Sequence, residues 1–252
     1  MISTEPVSPE LTRIGRRNEL ICGWSGAAAA VLLIIGWCVV AGFLPPPSPN
    51  LSADEIAAFW RNDTELKILG MVIGTWGGVC YAPFSIAITM QMLRMGKHNR
   101  VLAYAQGAVG AFATVFVTVP LVFLMVVGFR PERPVELTQL MNDLSFIFAL
   151  TTVMGFSVQN ILIGLATIQD RSEKPVFPRW VAYFNFWLAL VFVPAALIPF
   201  FKTGPFAWNG VLSFWLPVGL FVVWLFVMVW AVTQSIRSQY AVTAGTPNAS
   251  VH

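Results

Sequence analysis

The sequence predicts an all-α, polytopic membrane protein, a helical bundle of six transmembrane helices. Hydrophobic residues fill 57% of the 252 positions and charged residues 11%. With a mean hydropathy of +0.72, this is more apolar surface than a water-soluble domain can bury or cover. Apolar runs recur six times, each longer than the ~20 residues a helix needs to cross the hydrocarbon core. The charges, fifteen Lys and Arg against twelve Asp and Glu for a net +3, sit in the connections between those runs. They form no basic face with interleaved aromatics, so nothing supports nucleic-acid binding.

Residues 1–19 are polar, carry Arg13, Arg16 and Arg17, and read as a disordered cytoplasmic tail ending in a basic flank. The first span, about Leu20 to Phe43, is too long for a signal-peptide core. Its end, Gly42-Phe43-Leu44-Pro45, offers no small-x-small cleavage site. Pro45, Pro46, Pro47 and Pro49 then stop the helix, and Ser52 with Glu55 forms a capping-box pattern opening a short helix through Ile56, Phe59 and Trp60. Its apolar face suits either the membrane interface or the top of the bundle.

The further spans run from about Leu66 to Leu93, Val101 to Phe129, Leu144 to Ile168, Val181 to Phe201 and Val211 to Ile236. Residues 20–237 thus form the transmembrane domain, and 238–252 a second disordered cytoplasmic tail. Short connections predict antiparallel sequential neighbours. With the N-terminus inside, Arg13, Arg16, Arg17, Arg94, Lys97, Arg100, Arg171, Lys174, Arg179 and Arg237 are cytoplasmic. Arg61, Lys67, Arg130, Arg133 and Lys202 lie outside. Ten cations against five place both termini on the cytoplasmic side of the membrane.

The second span holds Gly70, Gly74 and Gly78 four residues apart, on one helical face where another backbone can approach closely. The outward-going spans share an aromatic exit followed by proline (Phe43 to Pro45, Phe129 to Pro131, Phe201 to Pro205). The returning spans start at Asn62-Asp63, Asn142-Asp143 and Asn209-Gly210 and end at Arg94, Arg171 and Arg237. This is a candidate threefold repeat of a helical hairpin, although Pro exits and Asx starts are also what any membrane boundary selects.

Cofactor chemistry has little to stand on. Cys22, Cys38 and Cys80 all fall in apolar runs, and the two histidines are His98 in a basic loop and His252 at the terminus. Haem, di-iron and zinc sites in helical bundles need several buried His with carboxylate partners, so no metal site or cofactor is expected. Ionisable groups inside a membrane are costly and mark function. Here Glu65, Lys67 and Asp143 lie near the outer boundary, where a Glu65 or Asp143 contact with Lys67 would form an interface pair. Any catalytic centre would have to be drawn from these three.

The deeper polar groups are neutral. Gln159-Asn160 in the fourth span is the sharpest, since two adjacent amides in an apolar helix must find partners, with Asn185 or Tyr81 as candidates. The chain is expected to bind or transport a lipophilic small molecule, in a cavity lined by Trp76, Tyr81, Phe84, Phe156, Gln159, Asn160, Asn185, Phe186 and Trp187. The alternative is a structural or accessory subunit whose glycine face packs on a partner protein or a second copy. Pro83, Pro120, Pro194, Pro199 and Pro217 lie within spans, where each removes a helix hydrogen bond.

Phe177-Pro178-Arg179-Trp180, the segment from Pro199 to Gly210, and Phe214-Trp215 resemble a family of uncharacterised six-span bacterial inner-membrane proteins of about this length. The resemblance is clearest over residues 177–237 and looser over 60–170. It implies a six-span architecture and an association with bacteria that degrade steroids and other lipophilic compounds. It carries no catalytic residues across.

Overall fold

The computed structural model describes residues 9–245; residues 1–8 and 246–252 of the two expected tails lie outside the described residues. Among the described residues there is no β-strand. Six segments are long and apolar enough to cross a membrane, Glu10–Val40, Thr64–Leu93, Lys97–Phe129, Val135–Gln169, Arg179–Phe200 and Val211–Ala241.

Helix α1 (Pro9–Leu33) continues as a π-helical segment, Ile34–Val40. It begins at Pro9 rather than Leu20, so residues 9–19 are helical and not the tail expected there. Proline at a first helical position and Glu10 in the first turn both favour this start. Tertiary contacts hold the extension, for Gly15 lies against the Tyr240 hydroxyl and Glu19 pairs with Arg94 at 2.6 Å. The last helix, α8 (Leu216–Gly245), likewise runs past Arg237. The Gly15–Tyr240 contact places both ends of the described chain at one end of the bundle, called here the basic end.

The opposite end carries α2 (Ala53–Arg61), whose capping box forms as expected. The Ser52 hydroxyl accepts from the Glu55 N–H at 3.3 Å, and the Glu55 carboxylate accepts from the Ser52 N–H at 2.8 Å. Ile56, Ala57 and Trp60 are buried. The helix therefore caps the bundle, and its Trp60 indole donates to Asn142 Oδ1 at 3.1 Å. That bond accounts for a correction. Asn142 does not start the fourth span, which begins as α5 (Val135–Thr151) directly after Pro134; instead it is an interior acceptor.

Helix α3 (Thr64–Leu93) follows Asp63, which adopts the left-handed conformation (φ 51°) that Asp tolerates better than most residues. It is the most enclosed span, with 50% of its apolar window buried against 28–44% for the others. Glycine makes this possible. A Cβ on Gly77 would lie 2.9 Å from Leu33 N, one on Gly78 2.6 Å from Thr118 Cγ2, and one on Gly26 of α1 2.7 Å from the Phe84 ring. The glycine row is thus used inside the chain, Gly70 against the π segment of the first span and Gly74 and Gly78 against α4 (Arg100–Phe129), with Gly77 beside the row against α1.

Helix α6 (Met154–Gln169) completes the fourth span, and α7 (Arg179–Val191) runs into a 3₁₀ segment, Val193–Phe200. The sixth span opens with a π turn, Val211–Trp215, before α8. Neighbours follow the order α8, α1, α3, α4, α5 with α6, and α7. The first two hairpins are closely packed pairs, whereas α7 leans chiefly on α6 and α8 chiefly on α1. The three hairpins also differ in build. The second span is one unbroken helix, the fourth is broken at Thr152-Val153, and the sixth starts in a π turn.

Candidate functional site: an apolar cavity between two cores

Packed side chains form two hydrophobic cores. One, toward the basic end, contains Phe84, Phe156, Phe192, Trp224 and Leu225. The other, under α2, contains Phe43, Trp60, Leu121, Phe146, Leu150 and Trp208. Four spans depart from α-helical geometry around their junction. These are the π segment Ile34–Val40, the break at Thr152-Val153, the change to 3₁₀ geometry after Phe192, and the π turn Val211–Trp215. Pro120 and Pro217 lie there too. Regular helices interdigitate to near-crystalline density, while prolines, π turns and breaks displace side chains from that register.

The result is a cavity of about 190 Å³. Its walls are Leu33, Ile34, Trp37 and Cys38 of the first span, Phe116, Pro120 and Leu121 of α4, and Leu150, Val153 and Phe156 of the fourth span. Phe192 and Phe214, Pro217, Val218, Phe221, Val222 and Leu225 of the last two spans close it. The lining offers dispersion and hydrophobic contact, so it selects by size and shape. Trp37 and Phe43 (5.4 Å between ring centroids) and Phe146 stacked on Trp208 (5.3 Å, 13°) belong to the core on the α2 side. The Trp208 indole is anchored by donating to Pro47 O at 2.7 Å.

One edge is less enclosed. Toward the basic end α1 and α8 pack tightly, with Gly23 against Val232, Thr233 and Ile236. Toward the α2 end the first span leans onto α3. Ile34 and Cys38 on one side and Val218 and Val222 on the other then form a half-buried rim, with Leu44 exposed beside it.

On the basic-end side of the cavity lies a buried polar layer. Phe156 packs on Tyr81 (5.6 Å) and Phe221 (4.8 Å). The Tyr81 hydroxyl donates to Gln159 Oε1 at 2.6 Å, the Thr89 hydroxyl to Gln106 Oε1 at 2.6 Å, and Gln106 Nε2 to Ser85 Oγ at 3.1 Å. Asn160 Nδ2 donates to the Phe156 carbonyl (2.7 Å), and the Trp224 indole donates to Asn185 Oδ1 (3.0 Å). Gln159 Nε2, Asn160 Oδ1 and Ser157 Oγ have no partner within the protein.

Tyr81 is thus one of the two partners expected for Gln159. The other candidate, Asn185, is taken by Trp224 instead. Of the residues expected to line a cavity, Phe156 does so. Tyr81, Phe84, Gln159, Asn160 and Asn185 are buried in the neighbouring layer, and Phe186 is packed against Gly164. Trp76 and Trp187 do not line this cavity, since at 66% and 48% exposure they stand on the outer surface of their helices. An apolar aromatic reads alike whether it faces lipid or core, which is why the sequence does not separate the two.

The boundary charges also differ from expectation. Lys67 is buried, yet neither Glu65 nor Asp143 pairs with it; its ammonium donates to the Asn62 carbonyl and lies 4.7 Å from the Phe59 ring centroid. Among the described residues the one ion pair is Glu19–Arg94. Around it Arg94 and the Ser235 hydroxyl donate to Gln91 Oε1 (2.6 and 2.8 Å), and the Tyr240 hydroxyl donates to Glu19 (3.3 Å). This cluster joins α1, α3 and α8 and was not expected. Its one sequence signal is an acid, Glu19, at the edge of an otherwise basic flank.

The fold and the site define an integral membrane protein of six candidate spans enclosing an apolar cavity. Comparison with protein-family models, with curated proteins and with solved structures finds no match to the chain.

Proposed function

We propose that the protein binds one small lipophilic molecule, or the end of an alkyl chain, taken up from the bilayer through the rim between the first and sixth spans. The observation that carries this reading is the apolar cavity of about 190 Å³, bounded by four spans that leave α-helical geometry around it. An apolar cavity of roughly 150 Å³ stays dry and admits benzene. This one therefore suits a single substituted ring or a short alkyl segment, and a fused polycycle needs the rim to open. Passage across the membrane would use the same rim and cavity.

The location that fits is a bacterial inner membrane with both termini cytoplasmic. Ten cations against five support that orientation, and the Gly15–Tyr240 contact supports a shared side for the two ends. The accessory-subunit reading rests on a free glycine face, and the packing of Gly70 on the π segment of the first span and of Gly74 and Gly78 on α4 favours the ligand-binding reading over it.

Thermal unfolding of the purified protein with iodobenzene tests the proposal. A rise in Tm is expected for the wild type and no rise for Leu121→Trp, whose indole fills the cavity. Equal responses from the two proteins, or no response from either, overturn it.

A further inference from the structure

The first helix carries a second feature that the cavity does not use. Arg13, Arg16, Arg17, Leu20, Ile21, Trp24 and Ala28 recur at steps of three and four, which puts them on one helical face. That face passes from three exposed guanidinium groups into exposed apolar side chains, Ile21 at 58% and Trp24 at 52%. The change falls where α1 enters its apolar run, so the arginines stand at headgroup level and Trp24 sits at the depth of an aromatic belt.

Among the described residues no ion pair neutralises this face, and of its arginines Arg16 alone lies within electrostatic reach of the Tyr240 hydroxyl. Glu19, the acid closest in sequence, points to the other side of the helix, where Arg94 holds it at 2.6 Å and the Tyr240 hydroxyl donates to it. Glu10 makes no ion pair, since Glu19–Arg94 is the one such pair among the described residues. Three cations outside any ion pair among the described residues, set above an apolar stripe on the same helical face, match one chemistry at both ends. A phosphate anion meets the guanidinium groups, and an acyl chain lies along Ile21, Trp24 and Ala28.

We infer that the basic end of α1 is a binding site for an anionic phospholipid, independent of the cavity ligand. Arginine suits the role because its planar fork donates two parallel hydrogen bonds to a phosphate. The headgroup alone is insufficient, because half of the complementary surface is apolar.

Native mass spectrometry of the full-length protein in a neutral detergent tests this. Phosphatidylglycerol is expected to stay bound, while phosphatidylcholine and glycerol phosphate are not. Charge at a membrane surface predicts that R13Q/R16Q/R17Q lowers the phosphatidylglycerol affinity on the order of 100-fold. The wild-type affinity should also fall as salt is raised. The three side chains are exposed, so the variant should keep the wild-type Tm in neutral detergent; the salt titration needs no variant. Equal retention of the two lipids, undiminished binding by the triple variant, insensitivity to salt, or glycerol phosphate binding as tightly as the lipid would each overturn the assignment.

Discussion

Gly36 of the π segment and Gly70 of α3 lie backbone against backbone, so close that a Cβ on either would strike the carbonyl oxygen of the other. A Cβ on Gly36 would also lie 2.6 Å from the Gly74 amide nitrogen. The first span is drawn onto α3 at this point, and the rim toward α8 is the other side of the same displacement. Closest approach of the first span to α3 is therefore set at this pair of glycines.

Substituting either glycine should be costly. Gly70→Ala is expected to destabilise by about 1–3 kcal/mol, the usual cost of forcing a methyl group into a filled contact, and Gly70→Leu by more. Gly219→Ala, where an added Cβ meets nothing within 4 Å, is the neutral control. Thermal unfolding in detergent measures both, and an unshifted Tm for Gly70→Leu would refute the contact.

The Tyr81–Gln159 bond should show coupling. Tyr81→Phe removes the donor to Gln159 Oε1 while Gln159 Nε2 already lacks a protein partner, so a loss of about 1–3 kcal/mol is expected. Gln159→Leu introduced together with Tyr81→Phe should then cost less than Gln159→Leu in the wild type. A double-mutant cycle reads the difference, and strictly additive losses would show that the hydroxyl and amide do not interact.

Charge reversal should rescue the cluster at the basic end. Arg94→Glu places two carboxylates where a 2.6 Å ion pair stood and should lower Tm, as should Glu19→Arg. The double exchange is expected to recover part of the loss. At the other end Asp143 is half-buried and its neighbours are Asn142 and Lys202 rather than Lys67, so Asp143→Asn and Lys67→Met should act additively on Tm. Non-additive losses would revive a partnership between Asp143 and Lys67.

Acid should loosen α2. Hydrogen bonds from the Ser52 N–H and hydroxyl hold the Glu55 carboxyl below its ordinary value of 4.5. Because the folded value is the lower one, the stabilisation is fully present above pH 4.5 and is lost as pH falls through the depressed value. Amide hydrogen exchange in residues 53–61 should accelerate over that window, and Glu55→Ala should abolish the pH dependence. Exchange that ignores pH in the wild type would count against the cap.

How much was legible follows from what each feature depends on. The capping box at Ser52 and Glu55 was readable because its donors and acceptors lie within three residues of each other. The glycine row was readable as a close-contact face, but not its partners, because Gly36 lies on another helix and Gly77 falls outside the spacing of four. Trp76 and Trp187 were misplaced in a cavity because composition does not distinguish lipid-facing from core-facing aromatics. Leu121, Val153 and Pro217 are ordinary apolar residues until three spans bring them together.

The sequence by itself determined the class of molecule, the six spans and the side that carries most of the cations, since apolar run length and charge placement answer to the bilayer alone. The tertiary structure decided where the cavity lies, which amides pair and which helix faces reach lipid. These depend on relative rotation and tilt, set by close packing at Gly36, Gly70 and Gly77 and by the departures from α geometry. Inside a membrane the lipid-facing and core-facing sides of a helix are both largely apolar, so the periodicity that reveals the buried side of a soluble helix is weak here, and only packing settles it.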